Sequence, residues 1–350
     1  MLRNALRNPM FVSGTLFVLI LFGSSLYYSL VFHDQVPQTS MYYNDDGQLI
    51  DRSPLSPAQV PPFGTDKYGY HLFEQIIIGA KYTIGIAFIV ASMRMALSFI
   101  GGVLAGTYLQ RTLRSTSGLV DAMQYIPISL LSYFILRGVL MENGMEGTFQ
   151  YSFVERVIFE VVILTAVAIP TTTTLISNET NAVWGREFIE GARTLGGSRS
   201  HILYKHIFPH LGPRMVLIFL QQMVNVLILL LHLGLLKLFF GGTFFNYDPL
   251  LGNEYLSVSS EWSGLIGHTF KFLPYETWIP LIPILFFVLV ILAVNFALEG
   301  FKQAMERQSE SGVRRRKPIV QNKEAIVNQD SFSFINDRSD SYIQRKIASR

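Results

Sequence analysis

Five polar side chains sit inside long apolar runs, where each is expensive to bury and so is a candidate for function: Arg94, Gln221, Gln222, Asn225 and His232. A charged guanidinium, three amides and an imidazole can hold a polar solute by hydrogen bonds or join two subunits. They form no known catalytic set, so a membrane-embedded enzyme has only these residues to draw on. His201, His206 and His210 lie close together, with His206 and His210 four residues apart. Pro209 interrupts the helix that would align that pair and no glutamate stands between them, so no metal site is assigned. The chain has no G-x-x-x-x-G-K-[ST] phosphate loop, no H-E-x-x-H motif and no G-x-S-x-G elbow. It therefore has no means of its own for cradling ATP in that way and shows no sign of covalent catalysis.

A second group is arranged for contact rather than chemistry. Glu187 to Pro209 reads EFIEGARTLGGSRSHILYKHIFP, polar and helix-compatible, between two apolar runs. Its spacing predicts a short helix from Glu187 to Leu195, ended by a left-handed turn at Gly196-Gly197. Ser198 then caps a second helix with Ile202, Leu203, Ile207 and Phe208 at helical spacing, and Pro209 lets that helix break or bend. Gly191 and Ala192 are small enough for another surface to approach the backbone. The product is a helix–turn–helix knob standing out of a membrane.

The elements that position these residues are apolar. Half of the 350 residues are hydrophobic, only 15% are charged, and the mean hydropathy is +0.33, too apolar for a soluble domain of this length. Cysteine is absent, which excludes disulfides, thiolate metal sites and a cysteine nucleophile. Six spans are predicted, at about Pro9–Phe32, Tyr82–Tyr108, Leu119–Leu140, Val157–Ile176, Pro213–Leu236 and Trp278–Leu298. The first exceeds the apolar core of a cleaved signal. Expected around them are a short N-terminus (1–8), a Pro-rich extracytoplasmic segment (33–81) with Asp45 and Asp46, and a five-helix core (82–301). That core contains a cytoplasmic loop (177–212) and an outer loop (237–277) with Trp262. Trp262 and Trp278 read as interfacial aromatics. A short outer loop carries Glu142, Glu146 and Glu155, Asp121 reads as interfacial, and the threonines after Pro170 can satisfy backbone groups that the proline frees. Residues 302–350 read as a basic, largely disordered tail that includes Arg314-Arg315-Arg316-Lys317. Arg3, Arg7, Arg111, Arg114 and the tail place both termini in the cytoplasm of a multi-pass cell-membrane protein.

Glu190-Gly191-Ala192, Gly196 and the closing Ile207-Phe208-Pro209 resemble, in order and spacing, the EAA loop of ABC importer permeases. Pro62-Phe63-Gly64-Thr65-Asp66-Lys67-Tyr68-Gly69 with Gly79-Ala80-Lys81 is similar to the stretch before the second span in C-type permeases of dipeptide, oligopeptide and nickel importers. Gly69-Tyr70-His71 departs from the usual Gly-Arg-Asp, and Leu227 stands where relatives carry an acid. Trp262, Pro280, Pro283 and Asn295 extend the match over roughly residues 9–305.

The resemblance implies an all-α type I importer permease in which Glu190, Gly191, Ala192, Gly196, Ile207 and Pro209 form an ATPase-coupling loop. It further implies a B-type permease partner, two ATPase subunits that carry ATP-Mg, an extracytoplasmic substrate-binding protein, and alternating access. Peptides are the expected cargo, with nickel or another small solute, or a non-transporting membrane scaffold, as alternatives.

Overall fold

The computed structural model describes residues 2–44, 46–109, 118, 120, 122–123, 125–142, 148–248 and 252–315. Asp45, Arg111, Arg114, Leu119, Asp121, Glu146, Arg316 and Lys317 therefore lie outside the described residues. The chain divides into two units, 1–305 and 306–350, and the first contains the helical bundle and the knob.

Four helices among the described residues are long and apolar enough to cross a membrane: Pro9–Phe32, Leu72–Tyr108, Arg199–Leu235 and Trp278–Arg307. In chain order the helices are α1 (Leu2–Ala5), α2 (Pro9–Phe32), α3 (Leu72–Tyr108), α4 (Ile128–Leu140), α5 (Phe153–Ala166) and α6 (Ile169–Trp184). They continue as α7 (Glu187–Thr194), α8 (Arg199–Ile202), α9 (Phe208–Leu235), α10 (Trp262–Thr269) and α11 (Trp278–Arg315). Asn8 caps α2 by accepting from the Met10 N–H at 2.9 Å, and its amide also donates to Gln303 at 3.1 Å. The entry of α2 and the far part of α11 are thereby brought to the same end of the bundle.

Several bounds differ from expectation. Helix α3 begins at Leu72, ten residues before the predicted span, because Glu74 favours the first turn and the Gln75 side chain donates to Asp66 at 2.8 Å. The third span is cut at Pro127, leaving α4 with 13 residues, about 20 Å of helix. The fourth is likewise broken, at Val167-Ala168, into α5 and α6. Pro170 does not end it but sits in the first turn of α6, where a missing N–H costs little. Thr171 and Thr174 donate to the Ala168 and Pro170 carbonyls at 3.1 and 2.9 Å. Pro209 does not break the second helix of the knob, which is continuous with the fifth span. A π-helical turn at Leu203–Ile207 widens the backbone ahead of it, and the rod runs on from Arg199 to Leu235. The last helix continues past Leu298 as far as Arg315, so the beginning of the expected tail is helical.

The core lies between α3, α9 and the elements packed on them, with Ala87, Leu136, Leu164, Leu227, Trp262 and Phe287 all buried. Small residues set the approach of α3 to α6: a Cβ on Gly102 would lie 2.7 Å from the Ile176 Cβ. The predicted outer loop is an ordered module. It consists of an antiparallel hairpin, β3 (Thr243–Asp248) with β4 (Gly252–Ser257), followed by α10. A smaller hairpin, β1 (Met41–Tyr43) with β2 (Leu49–Arg52), decorates the Pro-rich segment. Trp262 is not an interfacial anchor. It is fully buried, with its indole N–H donating to the Ile76 carbonyl at 2.8 Å. Glu142 lies past the end of α4, where its carboxylate accepts from the Phe245 N–H at 2.8 Å.

Candidate functional site

Two sites emerge, one inside the bundle and one on the knob. The inner site starts from the break in the fourth span. The Ala168 N–H bonds to the Thr165 carbonyl at 3.2 Å, three residues back, and so leaves the Leu164 carbonyl that an unbroken helix would engage. Arg94 takes that carbonyl, with Nε and Nη2 donating at 2.9 and 2.5 Å, while Nη1 donates to Gln222 Oε1 at 3.4 Å. Arg94 is only 2% exposed. A buried charge needs partners on this scale, and the helix break supplies one.

Beside Arg94 opens a cavity of about 430 Å³. Gln222, Asn225 and His232 line it from one face of α9, Ser129 from α4, and Thr171 from α6. Four of the five polar residues singled out in the apolar runs thus converge: Arg94, Gln222, Asn225 and His232. Gln221 does not join them, because it is one position round the helix and faces outward. Pro127 and Ala168 also line the cavity, and both are N-caps of helices that no side chain caps. Sequence reading missed these two helix starts, although Pro127 and Pro170 were the visible signals.

The knob is built as its spacing requires. Helix α7 ends in a Schellman turn: Gly197 N–H donates to the Ala192 carbonyl at 3.0 Å and Gly196 N–H to the Arg193 carbonyl at 2.9 Å. Gly196 has φ +83°, the left-handed conformation such a turn demands. Ser198 Oγ accepts from the His201 N–H at 3.3 Å and caps the next helix. Ile189, Ile202 and Ile207 are buried and anchor the knob to Ile176, Val183 and Leu211. Glu190, Gly191, Gly196 and Pro209 are exposed and Ala192 is half-buried, whereas Leu195 and Tyr204 are 90% and 77% exposed. Ile207 thus belongs to the anchor rather than to the outer face, and nothing lies within 4 Å of where a Gly191 Cβ would point. The imidazole of His210 stacks on Phe188 with centroids 4.9 Å apart, and the His210 Nδ1 bonds to the His206 carbonyl at 2.8 Å. No cluster of three metal-binding side chains occurs among the described residues.

On the outer module, Glu254 bonds Lys67, Lys271 and, at 3.0 Å, the Tyr68 hydroxyl. Burial alone would raise this carboxyl, but the bonds from Lys271, Lys67 and Tyr68 outweigh it and hold the pKa at about 2.

Residues 98–310, more than half of the chain, match the family described as binding-protein-dependent transport system inner membrane component. The chain is 22% identical over 309 residues to the glutathione transport system permease protein GsiD of Pectobacterium atrosepticum, covering 88% of this chain and 90% of that protein. It is 23% identical over 254 residues to the dipeptide transport system permease protein DppC of Alkalihalophilus pseudofirmus, covering 71% and 72% of the two. Among solved structures, an inward-facing form of the MetNI methionine ABC transporter aligns with TM-score 0.47 and 16% identity, over 66% of this chain and 95% of that one.

Proposed function

The chain belongs to the family of binding-protein-dependent transport system inner membrane components and is a permease subunit of an ABC importer, and from that premise we propose that it forms half of a peptide translocation pathway. The observation that carries this reading is the knob: a rigid turn at Gly196, tied to the bundle through Ile189, Ile202 and Ile207, with Glu190, Gly191, Leu195 and Tyr204 left open. Such a knob passes on a push without deforming, because packed interfaces switch rather than yield gradually. In this reading the open face seats one of two ATPase subunits that carry ATP-Mg. A second, B-type permease completes the pathway, and an extracytoplasmic binding protein delivers the solute.

The chain crosses the cell membrane six times in this reading. The third and fourth crossings are built from broken helices, which a bilayer tolerates where the break lines a cavity or is buried in protein. The Asn8–Gln303 bond keeps the ends of the first and last spans on one side, in keeping with both termini in the cytoplasm. Peptides are favoured as cargo because the glutathione and dipeptide permeases are among the relatives.

Purification of the chain from its native membrane in mild detergent tests the proposal. A second permease and phosphate-loop ATPases are expected among the co-purifying chains, with ATPase activity stimulated by loaded binding protein. A homo-oligomer free of ATPase would overturn it.

A further inference from the structure

The cavity beside Arg94 has a buried guanidinium at its wall, and this points to the chemistry of what enters it. All bonds from Arg94 among the described residues go to neutral oxygens, the Leu164 carbonyl and the Gln222 amide. Neutral dipoles compensate a buried guanidinium only in part, and a carboxylate is its natural bidentate complement. Two helix starts border the same cavity, at Pro127 and Ala168, and no side chain caps either. The start of α4 brings the positive end of a 13-residue helix to the cavity wall, whereas at Ala168 the end of α5 lies two residues away and offsets the dipole of α6. Gln222, Asn225 and Ser129 add neutral hydrogen-bonding groups, and no Asp or Glu lines the cavity among the described residues. At about 430 Å³ it falls within the size of small-molecule sites, roughly 300–1,000 Å³.

We propose that this cavity binds the carboxylate of the transported solute, with Arg94 as counter-charge and the start of α4 as a flanking dipole. The inference rests on the importer reading and adds to it the ionic class of the cargo. Arg94 serves as a specificity residue. The Leu164 carbonyl takes Nε and Nη2 and so fixes the plane of the guanidinium, and Nη1, held only by a bond of 3.4 Å to Gln222, is the nitrogen most easily given over to a carboxylate. When no solute is present, the neutral amides and any waters of the cavity are all that face the charge.

The test uses the assembled complex in lipid nanodiscs, without binding protein, so that selection by that protein does not enter. The probes are trialanine and its C-terminal amide, which differ in charge at one end only. Saturation-transfer NMR is expected to give about tenfold or more tighter binding of the acid than of the amide. Arg94→Gln should erase that preference, and Arg94→Lys should keep part of it. The comparison in the unmodified complex stands whether or not a variant folds. Equal affinity for acid and amide, binding of neither, or a preference unchanged in Arg94→Gln would each overturn the proposal. So would separation of the two permease subunits in Arg94→Gln with no acid preference in the parent, which would assign the charge to a carboxylate of the other subunit. ATP-driven uptake of trialanine, measured in parallel with binding protein present, separates the two readings. Uptake with no acid preference removes only the carboxylate assignment, whereas a complex lacking both ATPase and uptake removes the importer reading as well.

Discussion

Trp262 donates its indole N–H to the Ile76 carbonyl at 2.8 Å, a bond that joins the outer module to α3. The backbone N–H of Trp262 reaches the same helix through Thr83 Oγ1 at 3.1 Å. Gly79 makes the approach possible, since a Cβ there would lie 2.6 Å from Trp262 Cδ1. Trp262→Phe keeps most of the apolar volume and removes the donor. It should cost about 0.5–1.5 kcal/mol, since the Ile76 carbonyl, inside α3, keeps its helical partner. Gly79→Val should cost more, because the ring has nowhere to go. Heat challenge in detergent followed by size exclusion ranks the two. A Trp262→Phe protein as stable as the parent would show that the bond contributes nothing to holding the module.

The knob makes its own prediction. Gly196 at φ +83° admits Asn at small cost, whereas a β-branched residue there is strained by about 1–2 kcal/mol or more. Gly196→Val should therefore distort the turn and lower co-purification of the ATPases and uptake, while the protein still inserts at normal levels. Gly196→Asn should stay close to the parent. Glu190→Lys, on the exposed face of the same helix, should detach the ATPases without altering the fold. Normal uptake in both Gly196→Val and Glu190→Lys, at normal protein levels, would sink the coupling role.

The outer ion cluster predicts a pH response. With its pKa held at about 2, below the usual carboxylate range, Glu254 contributes stability that is present above about pH 4.5 and is lost as the pH falls toward 2. Lys67, raised by its bonds to Glu254 and Tyr68 against the opposing effect of burial, contributes stability that is lost only as the pH rises beyond its ordinary 10.5. Between those limits the contact of residues 67–68 with the β3–β4 hairpin should be insensitive to pH. Protection of the backbone around Lys67 and Tyr255 against amide exchange, relative to the intrinsic rate at each pH, should fall below about pH 4, and Glu254→Gln should show the lower protection, and so the faster exchange, already at neutral pH. Equal exchange in parent and variant at neutral pH would show that the cluster holds nothing in place.

How much of this was legible in the sequence depends on the range of the interaction. The long apolar runs at 9–32 and 82–108 and the turn at Gly196 are local, and hydropathy or glycine chemistry reports them directly. The breaks at Pro127 and Val167-Ala168 were half legible. The prolines were visible, but a proline inside an apolar run reads equally as a kink or as an end. Trp262 was misread because an aromatic in a polar-flanked loop looks like an interfacial anchor until Gly79, 183 positions earlier, is known to face it. Arg94 was found by its cost in an apolar run, yet its partner is a backbone carbonyl freed by a distant break, which no side-chain pattern announces. Gln221 and Gln222 are both polar side chains in one apolar run, but one step along a helix turns a side chain by about 100°.

The last prediction separates two neighbouring glycines that composition treats alike. Gly101 and Gly102 both lie where α3 meets α6, but they face different atoms. A Cβ on Gly101 would meet the Thr173 Cγ2 at 3.3 Å, a side-chain methyl that can give by a few tenths of an ångström. A Cβ on Gly102 would stand 2.7 Å from the Ile176 Cβ and 2.9 Å from the Thr173 carbonyl oxygen, neither of which moves without the helix. Interiors packed this densely accept the first change and resist the second. Gly101→Ala should leave stability within about 1 kcal/mol of the parent, and its helix propensity works in its favour. Gly102→Ala should force α3 and α6 apart at a cost of about 1–3 kcal/mol, seen as a lower midpoint in thermal unfolding in detergent. Because α6 leads directly into α7, the same variant should also weaken ATPase stimulation by loaded binding protein, whereas Gly101→Ala should not. Equal midpoints for the two variants would mean that α3 and α6 are not in the close contact that Gly102 permits.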